Sequence, residues 1–446
     1  YVLKAFALAF DAHTAYFTPG EATQFMISVQ QRLFGIGVQL RDDLSGFVVD
    51  KILEGGPANK EGHLKEKDRI IAVDGEPVVG MDIAEAVEFI RGEKGEVVKL
   101  TVLREKGKDN KAVDRLDIDI IRDEVVLKDY RVERSYESYA DGVIGYVKLF
   151  SFYQDPTSSS ALDVMREVEM LKREHNLKGL ILDLRYNSGG LLSQAVEVAG
   201  LFITKGIVAS IRDGDGRLQH LRDLHDGQVW DGPLIVLTNK ASASASEIVA
   251  QTLQDYGRAL IVGDNHTFGK GSFQTFSSDA YHDGGVNPQG EYKVTRGIYY
   301  TVSGKSPQLQ GVQVDIIVPG ALSEIEIGEQ YAKFPLENDN IGENYADDLS
   351  DVPAKYREKF SRLYRDGLQR PLVKYVRYYD ALRTNSLQRV EGNEIYQGFL
   401  TALKDDEIEE DFEKLYRNND LQLHETFNII KDFIFFTDVE KDIEAA

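Results

Sequence analysis

Between residues 143 and 262 the chain alternates short apolar runs with amphipathic stretches, and that alternation leaves few architectures open. Val143-Ile-Gly-Tyr-Val-Lys-Leu149 reads as a strand and residues 157–174 as a helix. Gly179-Leu-Ile-Leu-Asp-Leu184 follows as a near-continuous apolar strand of the kind buried on both faces. Leu191 to Phe202 reads as a helix, Leu234 to Leu237 as a strand, Ser244 to Tyr256 as a helix and Arg258 to Val262 as a strand. Strands alternating with helices in this way form a parallel sheet with crossover connections. The expectation is an α/β core.

The flanks break that rhythm. From Leu33 the texture is β-rich, with strands at Gly35–Leu40, Gly46–Asp50, Asp68–Val73 and Val97–Arg104, and turns at Gly55-Gly-Pro57 and Asp74-Gly75. Met81 to Arg91 is one amphipathic helix, with Ile83, Ala86, Val87 and Ile90 on a single face. Residues 1–32 read as helical, with a break at Pro19-Gly20, and the stretch from about 330 to 446 reads as an α-domain. The expected division is an N-terminal helical segment 1–32, a β-rich module 33–123, an α/β core 124–328 and a helical domain 329–446.

Composition narrows the function classes. A chain of 446 residues is too long for one ordinary core. With 52 Lys plus Arg against 74 Asp plus Glu, the net charge of −22 repels phosphate backbones and anionic lipids, which argues against nucleic acid as a partner. The absence of cysteine removes disulfides, thiolate catalysis and Cys-based zinc sites, and suits an oxidising envelope compartment. No run approaches the ~18 apolar residues of a membrane span. The chain begins at Tyr1 rather than Met, so the expectation is that processing removed its N-terminus and any targeting signal with it.

Three segments of the core carry chemistry. The first is Ala241-Ser-Ala-Ser-Ala-Ser-Glu247, at the start of a helix. Small residues there let a substrate backbone approach, and a serine near the positive end of the helix dipole favours an oxyanion. Ser242, Ser244 and Ser246 all qualify. A purely structural role stays open, since Glu247 three residues after Ser244 makes a capping box. The second is Phe268-Gly-Lys-Gly271, where Lys270 lies between two glycines that allow unusual dihedrals. Lysine acts as a base only where desolvation lowers its pKa to roughly 7–8 from about 10.4; a solvated loop lysine is the alternative. Gln274, four residues on, shares a strand face with Lys270 and can orient the amine. A phosphate loop is excluded, because Gly271 stands where Ser or Thr must follow the lysine. The third is Asp183-Leu-Arg-Tyr-Asn-Ser-Gly-Gly190, whose glycines expose backbone N–H groups for an oxyanion hole or simply shape a turn. None of the eight histidines falls in a zinc-type or triad-type cluster, so serine plus lysine is the economical hydrolase pair. No metal or cofactor is called for.

Together these segments resemble the carboxyl-terminal processing (tail-specific) proteases, a Ser/Lys peptidase family with an inserted PDZ domain. The resemblance covers nearly the whole chain. It rests on Asp11-Ala-His-Thr-Ala-Tyr-Phe17, Phe34-Gly-Ile-Gly37, Asp183-Leu-Arg-Tyr-Asn-Ser-Gly-Gly190, Ser242-Ala-Ser-Ala-Ser-Glu247 and Thr267-Phe-Gly-Lys-Gly271. It implies a multidomain α/β fold: a ClpP/crotonase-like spiral α/β protease core, an inserted β-rich PDZ domain and a helical C-terminal domain. It also implies Ser244 as nucleophile, Lys270 as base, and an oxyanion hole from the Ala245 N–H and one N–H of Gly189 or Gly190. Many members carry Gly-Glu-Pro-Thr-Phe-Gly-Lys, whereas this chain has Gly263-Asp-Asn-His-Thr-Phe-Gly-Lys270, one residue longer. His266 in that loop is read as exposed rather than as a base.

Phe34, Gly35, Ile36 and Gly37 match the carboxylate-binding loop of a PDZ domain, and Val38 opens the strand to which a chain terminus would add by β-augmentation. The implied partners are protein substrates with apolar C-termini, unfolded or tagged, in the periplasm or another extracytoplasmic compartment. Tail binding is further implied to bias the protease between resting and active arrangements. The competing class is a catalytically silent PDZ scaffold on a protease fold. A crotonase-like thioester enzyme shares the core by fold analogy alone. The oligomeric state, a homodimer included, stays open.

Overall fold

A computed structural model describes residues 1–106, 112–277, 287, 289–404 and 419–445. The chain forms two compact units, Gln30–Lys128 and a larger one made of Tyr1–Val29 with Asp129–Ala446.

The smaller unit is a six-stranded antiparallel sheet in which Val38–Asp43, Gly46–Ile52, Arg69–Val73, Val97–Lys106 and Ala112–Ile121 lie in order and Glu76–Pro77 pairs with Arg69–Val73. Its core is Phe47, Val49, Ile70, Val98, Leu100, Val102 and Ile120, closed by the helix Ile83–Ile90. Asp82 caps that helix by accepting the Ala84 N–H at 2.8 Å. The strand expected over 35–40 is broken at Ile36-Gly37. Arg32–Gly35 turns away to pair with Asp123–Val126, and Gly37 takes a φ of +75° that favours glycine.

In the larger unit, the alternation of strands and helices builds a six-stranded sheet. Its order is Val132–Tyr139, Gly142–Leu149, Leu177–Asp183, Leu234–Thr238, Leu260–Gly263, Ile316–Ile317, parallel except at the first edge. One face packs Val147, Leu180, Leu182, Leu234 and Val236 against the helices Ser160–Glu174, Leu192–Gly200 and Ala245–Asp255. The other packs Ile144, Ile181, Ile235 and Val262 against the C-terminal helices, through Phe427, Ile430 and Phe433. Burial on both faces is why the sequence of these strands runs apolar without alternation. A second sheet holds Ala15–Phe17, Glu291–Thr301, Gly206–Asp213 and Leu218–Asp223 in order, with Ser272–Phe276 also paired to Glu291–Thr301.

Two local expectations change. Residues 1–32 are not helical throughout: Ala15–Phe17 is a strand, recruited by Glu291–Thr301, and Pro19 opens the helix Pro19–Gln30 rather than breaking one. The helical reading of the C-terminal region skips residues 332–353, which run without helix or strand. Among the described residues no helix is long and apolar enough to cross a membrane.

Candidate active site

The strand Leu234–Thr238 ends on the sheet's carboxyl edge, and residues 239–244 lead from it into the helix Ala245–Asp255. This joint fixes the three serines differently. Ser242 Oγ donates to the Leu184 carbonyl at 2.8 Å, and Ser246 Oγ to the Asn187 carbonyl at 2.8 Å. Ser244 sits at the N-cap with φ 56° and ψ −112°, a backbone that L-residues rarely adopt. Among the described residues its hydroxyl donates to no group.

Glu247 holds the strained turn. Its Oε2 accepts the Ser244 N–H at 2.8 Å, in the capping box that the Ser244–Glu247 spacing announced. The same oxygen accepts the Lys270 N–H at 2.9 Å, and Oε1 accepts the Gly269 N–H and the Thr267 hydroxyl, each at 2.6 Å. The carboxylate is fully buried, and that burial pushes its pKa up to about 7 against the pull of its four donors. Tyr299, also buried, places its hydroxyl within hydrogen-bond reach of both the Ser244 and Lys270 carbonyls. The backbones of Ser244 and Lys270 are thus clamped together at their N–H groups by one side chain and at their carbonyls by another.

Lys270 lies just before the strand Ser272–Phe276. The glycines beside it are required by crowding: a Cβ on Gly271 would stand 2.4 Å from Ser306 Oγ, and Gly269 has φ +97°. Lys270 Nζ donates to Gln274 Oε1 at 2.7 Å. Gln274 Nε2 donates in turn to Ser272 Oγ at 3.0 Å and to Thr295 Oγ1 at 3.3 Å. Burial lowers the Lys270 pKa to about 8; the nearby Lys293 charge acts in the same direction, and Glu329, Glu247 and Asp11 oppose it. No hydrogen bond joins Lys270 to Ser244 among the described residues; such contacts commonly tighten only once substrate is bound.

The third segment turns against Ser244. A Cβ on Gly189 would lie 2.9 Å from Ser244 Cβ and 3.1 Å from the Ala245 nitrogen, and one on Gly190 only 2.2 Å from the Phe152 carbonyl oxygen. Asn187 Oδ1 accepts the Gly189 N–H at 2.9 Å. The N–H groups of Gly190 and Ala245 donate to no group among the described residues. Behind them Arg185, buried, bridges Asp183 and Asp420.

One grouping had no signal in the sequence. His13 Nε2 lies 2.8 Å from Glu329 Oε2, a pairing across 316 residues that no local spacing announces. His266, by contrast, turns its Nδ1 to the Thr267 carbonyl at 2.7 Å.

In the smaller unit, Gly35, Ile36, Gly37 and Val38 line one wall of a groove of about 240 Å³, with Leu40, Ile83, Val87 and Arg91 on the others. Ile36 and Gly37 use their carbonyls, which accept the Ala58 and Leu53 N–H groups at 2.9 Å each. Their own N–H groups donate to none of the described residues. Phe34 is 39% exposed, whereas Ile36 is buried in the core.

Comparison with known proteins identifies the family and its domains. Peptidase family S41 matches residues 143–318 and the PDZ domain matches residues 23–103. The tail-specific protease of Haemophilus influenzae is 36% identical over 345 residues, 76% of this chain and 48% of the relative. The carboxy-terminal-processing protease of Bartonella bacilliformis is 36% identical over 329 residues, 72% of this chain and 70% of the relative. The solved photosystem II D1 C-terminal processing protease shares 26% identity with a TM-score of 0.41, covering 71% of this chain and 81% of that one. The chain spans about half the length of the Haemophilus relative. The fold is that of a multidomain α/β peptidase with a PDZ domain. The chain belongs to peptidase family S41, among the carboxy-terminal-processing proteases.

Proposed function

We propose that this chain is a serine endopeptidase that selects proteins by their apolar C-terminal tails. Ser244 is the nucleophile, Lys270 takes its proton, and Gln274 orients the amine. As Ser244 attacks the scissile carbonyl, the developing oxyanion is received by the N–H groups of Gly190 and Ala245. Gly190 is preferred over Gly189, whose N–H already serves Asn187. The intermediate collapses as the C–N bond breaks and Lys270 gives its proton to the leaving amine; the neutral Lys270 then deprotonates the water that hydrolyses the acyl-enzyme. The observation that carries this reading is the joint clamping of Ser244 and a half-buried, pKa-lowered Lys270 by Glu247.

The groove of the smaller unit takes the tail. The N–H groups of Ile36 and Gly37 receive the terminal carboxylate, Val38 onward pairs with the extended tail, and the apolar wall of Leu40, Ile83 and Val87 accepts its side chain. A cysteine-free chain suits work in the periplasm or another extracytoplasmic compartment.

The test is proteolysis of an unstructured protein bearing either an apolar or a charged C-terminus, by the parent chain, Ser244→Ala and Gly35→Asp. Ser244→Ala is expected to lose cleavage by at least about 10³-fold, and Gly35→Asp to lose the preference for the apolar tail. Binding of the apolar tail with no cleavage by the parent would favour the silent scaffold instead.

A further inference from the structure

Lys270 is not the only lysine at this site. Lys293 lies on the strand Glu291–Thr301, two residues before Thr295, whose cross-strand partner is Gln274. A period of two puts Lys293 and Thr295 on one face of that strand. On the same face, Gln274 is hydrogen-bonded to Thr295 and to Lys270 Nζ. The two ammonium groups therefore share one side of the sheet.

What surrounds Lys293 is aromatic rather than acidic. Its Nζ stands 5.7 Å from the Phe17 ring centroid and 5.8 Å from that of Phe25, and both rings pack against Phe276. Among the described residues it makes no ion pair and no hydrogen bond. Asp11 is the carboxylate that acts on it, but the Asp11 oxygens already accept the His13 and Thr14 N–H groups and the Thr14 and Thr295 hydroxyls. A cation held on ring faces, without a carboxylate of its own, keeps its field for its neighbours.

We propose that the positive charge of Lys293 biases Lys270 toward its neutral, proton-accepting form, which makes Lys293 a positioning residue that acts through Lys270 rather than on substrate. This rests on reading Lys270 as the base. The groups that act on Lys270 from other elements are Asp11 on the N-terminal segment, Glu329, which pairs with His13, Glu247 on its helix, and Tyr299 and Lys293 on the strand Glu291–Thr301. The three carboxylates favour the ammonium. Lys293 is the cation that opposes them, together with burial, as in other sites where a lysine is tuned by a neighbouring positive charge.

The test compares the parent, Lys293→Met, Lys293→Arg and Lys270→Ala. Two quantities are read: kcat/KM against pH on an unstructured protein with an apolar C-terminus, and the NMR titration of ¹³C-labelled lysine side chains. The Lys270 signal is assigned by its loss in Lys270→Ala. In Lys293→Met the acid limb and the Lys270 midpoint are both expected to rise by about 0.5–1 pH unit, and cleavage at pH 7 to fall about three- to tenfold. Above the new midpoint the rates converge. Lys293→Arg keeps the charge and both midpoints. An unmoved midpoint in Lys293→Met, with Lys270→Ala inactive, overturns the proposal. If Lys270→Ala still cleaves, the base assignment has failed instead, and the NMR midpoint alone then decides whether the two lysines are coupled. Lys293→Gln replaces Lys293→Met should the latter not fold.

Discussion

At the scale of single residues, the site stores strain where the chemistry is assigned. Ser244 holds φ at 56° because Glu247 and the helix start fix the chain on both sides of it. Such backbone costs of order 1 kcal/mol for an L-residue and nothing for glycine. Ser244→Gly is therefore expected to unfold at higher denaturant, by about 1 kcal/mol, while losing cleavage as fully as Ser244→Ala. A stability equal to or below the parent's would show that the turn is not strained. Gly190→Ala is the opposite case, since its Cβ would meet the Phe152 oxygen at 2.2 Å with φ at +146°. It is expected to cost roughly 2–4 kcal/mol and to remove the proposed oxyanion contact with it, as denaturant titration and kcat would record. As the proposed base, Lys270 is expected to set the pH dependence. With its pKa near 8 it is protonated and inert below that value, so kcat/KM should climb about tenfold per pH unit up to about 8 and level off above. A limb at the ordinary lysine value near 10.4 would mean that burial does not tune the amine.

At the scale of elements, the helix Ala245–Asp255 presents the serine at its first turn and also carries Glu247, which ties that turn to the loop before Ser272–Phe276. Glutamine at 247 has the right shape but must aim its own N–H groups at N–H donors. Glu247→Gln is expected to lose about 2–4 kcal/mol of stability and at least about 10² in kcat. Its folded-state pKa of about 7 lies above the ordinary 4.5, so the Glu247 contribution is complete below pH 4.5 and is lost as pH rises through 7. Between those values the parent should lose a few kcal/mol that Glu247→Gln does not. What was legible here follows from locality. The strands Gly142–Leu149, Leu177–Asp183 and Leu234–Thr238 are local apolar runs, and they stand where the pattern put them to within two residues. Ala15–Phe17 became a strand only because Glu291–Thr301 pairs with it, and three of the four donors to Glu247 come from residues 267–270. A capping box was visible in the sequence; a four-way clamp was not. The pairing of His13 with Glu329 is hidden for the same reason.

At the scale of the whole chain, the question is how much of the recognition belongs to residues 30–128 alone. Their two ends meet: Arg32–Gly35 pairs with Asp123–Val126, and the Leu127 N–H donates to the Gln31 carbonyl at 3.0 Å. Excision therefore cuts the chain where both termini already lie together and leaves the sheet and its core whole. Residues 30–128 expressed alone are expected to unfold in one cooperative transition and to bind a peptide with an apolar, free C-terminus. If the carboxylate is held by the N–H groups of Ile36 and Gly37, amidating the peptide should weaken binding by about tenfold or more. Gly37→Ala should weaken it as well, because φ at +75° and a Gly56 Cα only 3.2 Å from the new Cβ would shift those two N–H groups. Titration calorimetry of the three combinations separates the causes. A free-acid preference lost in Gly37→Ala places the carboxylate in this loop. Equal binding of acid and amide by the parent unit would leave the apolar wall of Leu40, Ile83 and Val87 as the recognition element, and the selectivity would then be for side chains rather than for chain ends.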